Sequence, residues 1–234
     1  MRKYRHEIKY IISKESALIL KKRLLLIMNV DKNSTSDNTY NIRSLYFDDI
    51  YNSAYYEKID GTLYRKKYRI RIYNYDASFI RLECKYKHNN MTSKDQVKIS
   101  YEMYEKIVNN DYNCDSDNEL LNKFLLDMKL RLLRPKVIVD YKRIALTYPV
   151  SDVRVTFDFN ISSGVYNYNL FDKNVSKLPI IDDKNVVLEV KYNEILPESI
   201  ALILQTVPLE REAFSKFAYC MGVKEWFYEF KRYD

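Results

Sequence analysis

From Tyr64 to Lys98 the chain alternates charged with apolar residues, and this alternation restricts its fold more than any other feature. Residues 64–73 read Tyr-Arg-Lys-Lys-Tyr-Arg-Ile-Arg-Ile-Tyr, residues 79–87 read Phe-Ile-Arg-Leu-Glu-Cys-Lys-Tyr-Lys, and residues 93–99 read Ser-Lys-Asp-Gln-Val-Lys-Ile. A period of two belongs to a β-strand with two unlike faces. Arg69 and Arg71 share a face opposite Ile70 and Ile72, and Glu83, Lys85 and Lys87 share another. The scheme returns elsewhere. Arg5, Glu7 and Lys9 line up; Arg154, Thr156 and Asp158 oppose Val155, Phe157 and Phe159; Glu189 and Lys191 oppose Leu188 and Val190.

A charged face on a single strand is ordinarily wet. The same row on about eight strands suits a closed barrel, which turns one face of every strand inward and can hold one small ligand. The fold class expected is therefore α+β: a closed antiparallel eight-stranded β-barrel wrapped by helices. The apolar rows pack outward under the helices, and the charged rows line the lumen.

Helix signals lie between the strand runs. Ser13 is placed to cap a helix reaching about Met28, with Ala17, Leu20, Leu24 and Met28 on one stripe. Tyr40 to Phe47 reads as a strand, followed by a helix capped by Asp48 or Asp49 and stopped at Gly61. Ser100 opens another helix, Glu119 starts one that ends before Arg134-Pro135, and Pro197 starts a short one. Glu212 to Cys220 reads as a helix closed by Gly222, with the aromatic tail from Lys224 to Tyr233 packing down as a cap.

The 234 residues suit one domain over residues 1–234, because only 3 glycines and 5 prolines leave no obvious linker. The 23 tyrosines, among many Asn, Lys and Ile, read as the coding bias of an AT-rich bacterial genome. Cys84, Cys114 and Cys220 have no metal-type spacing and read as reduced thiols, which suits the cytoplasm. No apolar signal core is evident, and Leu18 to Met28 is too short and too charged at Lys21-Lys22-Arg23 to span a bilayer.

A net charge of +7 favours an anionic partner. The lumen candidates are Glu7, Lys9, Arg69, Arg71, Glu83, Lys85, Lys87, Lys98, Arg143, Arg154, Glu189 and Lys191. That many cations at close range repel one another, and an elongated polyanion relieves the repulsion. The interspersed carboxylates suit a divalent metal bridging to phosphate oxygens. Three glycines cannot build a phosphate-cradling loop, so phosphate would be gripped by guanidinium and ammonium groups. His6 and His88 have no nucleophile or acid arranged around them and read as structural.

Certain segments follow one another in a set order and spacing: Arg5-His6-Glu7-Ile8-Lys9-Tyr10, Arg43-Ser44-Leu45-Tyr46-Phe47-Asp48, Lys67-Tyr68-Arg69-Ile70-Arg71-Ile72-Tyr73, Leu82-Glu83-Cys84-Lys85, Asp140-Tyr141-Lys142-Arg143, Val153-Arg154-Val155-Thr156-Phe157-Asp158, Leu188-Glu189-Val190-Lys191 and Phe214-Ser215-Lys216-Phe217. Together they resemble the polyphosphate polymerase (VTC) domain of the triphosphate tunnel metalloenzyme superfamily. The resemblance implies an eight-stranded tunnel that binds triphosphate and a divalent cation, Mn²⁺ or Mg²⁺. Lys9, Arg69, Arg71, Lys85, Arg143 and Arg154 would be its phosphate ligands, Glu189 its metal ligand and Lys216 a lysine at the tunnel mouth. Lys87, Lys98 and Lys191 join the phosphate-binding candidates, and Glu7 and Glu83 the metal candidates. Related triphosphatases and cyclases begin Glu-x-Glu-x-Lys; here Arg5 takes the first position, which points to the polymerase branch and puts a two-carboxylate metal site in doubt.

The reading is metal-dependent phosphoryl transfer from ATP to a growing inorganic polyphosphate chain. Two alternatives stand beside it: a triphosphatase acting on inorganic or nucleoside triphosphate, and a polyphosphate-binding module without turnover. Nucleic acid is not an expected partner. A membrane-protein partner, which would hold the chain at the inner face of a membrane, is compatible with the family.

Overall fold

The computed structural model describes residues 3–35, 37–112, 116–164 and 167–230, with side chains described as far as residue 226. In chain order the elements are β1 (Arg5–Ser13), α1 (Lys14–Leu24), β2 (Asn29–Val30), β3 (Tyr40–Asp48), α2 (Ser53–Ile59), β4 (Tyr64–Tyr73), β5 (Ile80–His88), β6 (Met91–Ile99), α3 (Tyr101–Val108), α4 (Glu119–Leu130), β7 (Arg134–Tyr148), β8 (Val153–Gly164), β9 (Lys177–Pro179), β10 (Asn185–Tyr192), α5 (Glu198–Leu204) and α6 (Lys216–Phe230).

The sheet order is β2-β7-β3-β4-β5-β6-β1-β10-β8-β9, and β7 also pairs with β8. Eight antiparallel strands, β7-β3-β4-β5-β6-β1-β10-β8, therefore close into a ring, with β2 and β9 as short side pairings. The ring is uneven. Neighbours such as β4 and β5 register over eight residue pairs, whereas β1 meets β6 only at Arg5↔Thr92 and His6↔Met91.

The outer faces carry the apolar rows. Leu45, Ile70, Ile72 and Leu82 pack with Tyr104 and Ile107 of α3 and Phe124, Leu125 and Met128 of α4. On the other side, Val155, Phe157, Leu188 and Val190 pack with Ala17, Leu20 and Leu24 of α1 and Ile200 and Leu204 of α5. Side-chain caps set the helix starts: Ser13 Oγ accepts the Ser16 amide, Ser100 Oγ that of Met103, and Asn118 Oδ1 those of Leu120 and Leu121. Asp48 and Asp49 both serve α2, although it begins at Ser53. Asp48 accepts from the amides of Ala54 and Tyr55, and Asp49 from that of Ser53. Gly61 takes the left-handed conformation expected of it, with φ +75.

Three expectations are corrected. α1 stops at Leu24, and the apolar stripe continues to Met28 through a turn. Residues 211–215 are not helical: Arg211 bridges to Tyr10 and the Glu212 amide donates to the Lys9 carbonyl, so this segment lies along β1. α6 starts only at Lys216, after Ser215 Oγ accepts the Ala218 amide, and passes through Gly222 without stopping. A helical glycine costs only about 1 kcal/mol, which the docking of α6 outweighs. Third, the lumen is not charged throughout. Phe214, Phe217, Cys220 and Met221 pack against Tyr46, Val137, Val139, Tyr141 and Val187, so the start of α6 seals part of the ring with apolar side chains.

Cys84 and Cys220 are buried free thiols, and Cys114 lies outside the described residues. Among the described residues no helix is long and apolar enough to cross a membrane.

Candidate functional site

The inward charged rows meet in two connected cavities. One, of about 430 Å³, is lined by Glu7, Lys9, Tyr46, Lys58, Arg65, Lys67, Arg69, Arg71, Lys85, Lys87, Tyr141, Arg143, Glu189, Lys191, Arg211 and Lys216, among others. The other, of about 390 Å³, is lined by Arg5, Asp31, Tyr40, Tyr73, Phe79, Arg81, Lys94 and Arg154. Glu7, Arg69, Arg71, Lys85, Thr92, Arg143 and Lys191 face both, so the two are halves of one passage through the ring.

Within the passage, three carboxylate centres hold the inner cations. Glu83, fully buried on β5, receives Arg69 from β4 (Nε–Oε2 2.7 Å, Nη2–Oε2 2.6 Å) and Lys94 from β6 (Nζ–Oε1 2.7 Å), with Arg71 Nη1 at 3.8 Å. Burial alone would raise the Glu83 carboxyl, but the positive charges of Arg69, Arg71 and Lys94 hold it well below the usual carboxylate range. Asp158, fully buried on β8, takes Arg143 in bidentate fashion (2.6 and 2.8 Å) and Lys216 Nζ at 2.6 Å. That pairing brings the N-terminal residue of α6 onto the ring.

The third centre is mixed. Both oxygens of Glu7 lie 2.7 Å from Lys85 Nζ, and Lys9 Nζ lies 3.3 Å from Glu7 and 3.7 Å from Glu189. Lys191 contacts Glu189 and lies 4.0 Å from Glu7. Register explains the cluster, because Lys9 pairs with Glu189 and Glu7 with Lys191 across β1 and β10. Burial would raise both carboxyls; the surrounding lysines outweigh it and hold Glu7 and Glu189 well below their ordinary value. Burial pushes Lys191 down to about 7, only partly offset by Glu189 and Glu7.

Arg154 lies apart from this centre, in the second cavity, paired with Asp31 at 2.5 Å and Tyr40 Oη at 2.9 Å. Lys87 stands at the mouth of the first cavity. Two expected residues line neither cavity. Lys98 has the inward parity, opposite Arg81, but lies exposed at the strand end with its ammonium 5.6 Å from the Phe79 ring centre. Glu83 lies behind the cavity wall, with Arg69 on one oxygen and Lys94 on the other.

Sequence reading passed over Lys67, Arg65 and Lys94, although parity with Arg69 and with Lys98 marks them, and also Asp158 as the partner of Arg143. Lys58 on α2 and Arg211 had no strand pattern to reveal them. Lys58, Arg65, Lys67, Lys87 and Arg211 line the first mouth with no carboxylate within 4 Å among the described residues. Lys67, its ammonium 4.6 Å from the Phe217 ring centre, is held well below the ordinary lysine range by burial and then by Arg65, Lys85, Lys9 and Lys58. A mouth with this excess of cations attracts anions.

No group of three or more His, Cys, Asp or Glu side chains suited to a metal exists among the described residues. Glu7 and Glu189, two carboxylates beside the cations, are the oxygen donors that face the first cavity from adjacent strands. A divalent cation bound by one or two carboxylates and completed by substrate phosphates fits that donor set.

The VTC domain family matches residues 4–227. Among solved structures, a proposed adenylate cyclase from Bacillus halodurans shares 13% identity at a TM-score of 0.52, covering 87% of each chain. A proposed adenylyl cyclase from Hippeastrum, described as having a dominant triphosphatase activity, shares 14% identity at a TM-score of 0.53, covering 96% of this chain and 97% of that one. Comparison with curated proteins finds no match.

Proposed function

The chain belongs to the VTC domain family, and from that membership and the cationic passage we propose that it transfers the terminal phosphoryl group of a nucleoside triphosphate to a growing inorganic polyphosphate chain. The observation that carries the proposal is the charge balance of the passage. Lys9, Arg69, Arg71, Lys85, Lys94, Arg143, Lys191 and Lys216 face Glu7, Glu83, Glu189 and Asp158, and the cavity ends add more cations (Arg5, Lys58, Arg65, Lys67, Arg81, Lys87, Arg154 and Arg211) than carboxylates (Asp31 and Glu212), which leaves an excess that a triphosphate group neutralises. Phosphoryl transfer asks little covalent chemistry of a protein; it needs in-line positioning and charges where negative charge is spread. Arg69 and Arg71, backed by Glu83, and Arg143 and Lys216, backed by Asp158, are held in place before any ligand arrives. Lys9 and Lys85 lie beside them to position the chain, with Lys87 and Arg154 as outlying phosphate contacts. Glu189 and Glu7 would hold Mn²⁺ or Mg²⁺, which when bound supplies Lewis-acid charge to phosphate oxygens.

Hydrolysis is the second reading. It uses the same residues with water as acceptor, and the triphosphatase activity described for the Hippeastrum protein favours it. One experiment separates them: incubation with ATP and Mn²⁺ or Mg²⁺, products resolved on a polyphosphate-stained gel, beside Arg69→Ala/Arg71→Ala and Glu189→Ala. A long-chain product absent from both variants supports polymerisation, and orthophosphate alone supports hydrolysis. No turnover by the wild-type protein, with tripolyphosphate still bound, overturns both.

A further inference from the structure

A third concavity, of about 380 Å³, lies outside the ring beside the first mouth, between α2 and the outer faces of β4 and β5. Its aromatic lining includes Tyr4, Tyr64, Tyr68, Tyr86 and His88, and it shares Arg65 and Lys87 with the passage. Strand alternation explains the shared wall. Tyr64 and His88 pair across β4 and β5 and point outward, while their neighbours Arg65 and Lys87 pair on the next rung and point inward.

Tyr64 and His88 form a platform: ring centres 4.4 Å apart at 31°, Tyr64 Oη 2.9 Å from His88 Nε2, and Tyr4 edge-on to His88 at 6.0 Å. Tyr64 remains 65% exposed, so its platform has an open face. Glu57 of α2 lines the same groove half-buried, with no ion-pair partner within 4 Å among the described residues, and offers an acceptor for an exocyclic amine. At the opposite end of the passage, Phe79 already carries Arg81 at 4.4 Å and Lys98 at 5.6 Å over its ring.

We propose that this groove takes the nucleobase of a nucleoside triphosphate whose phosphates enter the passage across Arg65 and Lys87. Inward rungs on one strand follow each other at about 6.8 Å. A base on Tyr64 and His88 therefore sends its phosphates past Arg65 and Lys87 towards Lys67 and Lys85, beside Glu7. The groove gives the site a preference for nucleoside triphosphates over inorganic triphosphate. This inference rests on the phosphate-binding reading of the passage.

The test is calorimetric titration of ATP and of tripolyphosphate, without divalent metal, into the wild-type protein and Tyr64→Ala/His88→Ala. Both side chains are exposed, so the variant is expected to fold. Loss of base stacking lowers ATP affinity about tenfold and leaves tripolyphosphate unchanged. Saturation transfer from protein aromatic protons to adenine H2 and H8 in the wild type is a second readout. Equal losses for both ligands, unchanged ATP affinity or absent transfer overturns the groove assignment alone. Failure of both ligands to bind the wild type overturns the phosphate-binding reading together with it.

Discussion

Glu83→Gln tests the charge architecture of the passage most directly. Glu83 is fully buried between Arg69 and Lys94, each within 2.7 Å, with Arg71 at 3.8 Å. Glutamine keeps the shape and removes the charge, leaving these cations without their counter-ion. Breaking a buried pair in this way costs about 3–5 kcal/mol. Lys94, already pushed down to about 8 by burial, escapes part of the cost by shedding its proton, which places the loss at ~3 kcal/mol. For a chain of this length that lowers Tm by about 6–12 °C, measured by scanning calorimetry at pH 7 and low salt. The pH profile carries the sign. The folded Glu83 carboxyl lies well below its unfolded value, so its contribution is complete above about pH 4.3. It is lost as pH falls below that value towards the folded pKa. The variant should therefore have a shallower acid limb than the wild type. A loss under ~1 kcal/mol, or acid limbs of equal slope, would refute the buried counter-ion argument.

Other perturbations read other parts of the site. Asp158→Asn leaves Arg143 and Lys216 unpaired at the start of α6 and should cost about 3 kcal/mol by urea denaturation, with tripolyphosphate restoring much of it; a neutral substitution would show that the pair is not load-sharing. Lys67→Met removes a half-buried cation with no carboxylate within 4 Å among the described residues, so it should stabilise the free protein by roughly 1 kcal/mol while weakening tripolyphosphate binding measured by calorimetric titration. For the wild type, tripolyphosphate at 100 times its Kd should add about 2.7 kcal/mol, and the gain should shrink as salt rises. Insensitivity to salt would contradict a site built from ammonium and guanidinium groups.

The ring was legible because its signal is local. Glu7-x-Lys9, Arg69-x-Arg71 and Glu189-x-Lys191 each record a strand parity that survives into the structure, and so do the outward Ile70, Ile72, Leu188 and Val190. What could not be read depends on register between strands. Nothing local distinguishes Glu83, locked by Arg69 and Lys94 of neighbouring strands, from Glu189, which faces the cavity. Lys94 and Lys98 share one parity, yet only the depth of each along its strand decides that the first reaches the lumen and the second stays outside it. The misplaced start of α6 has a similar cause: Glu212 to Ser215 has helical composition, but the Lys9 carbonyl captures the Glu212 amide and holds the segment along β1.

The pairing pattern also ranks the cations by what a ligand must do to use them. Arg69, Arg143 and Lys216 are already held by carboxylates, so a phosphate meets them oriented and gives up little ordering entropy. Their like-charge repulsion is damped by Glu83 and Asp158, which lets eight strands bring so many cations together without a ligand. Lys58, Arg65, Lys67, Lys87 and Arg211 have no carboxylate within 4 Å among the described residues and are damped only at longer range, by Glu57 at Arg65 and Glu7 at Lys87. An approaching polyanion would therefore be drawn in by the unpaired cations and held in register by the paired ones that line the same cavity. That division implies separable effects: mouth substitutions should lower the association rate and its salt dependence, while substitutions at Arg69 or Arg143 should raise the dissociation rate. Stopped-flow binding of tripolyphosphate reads both, and mouth variants altered only in dissociation would reverse the assignment.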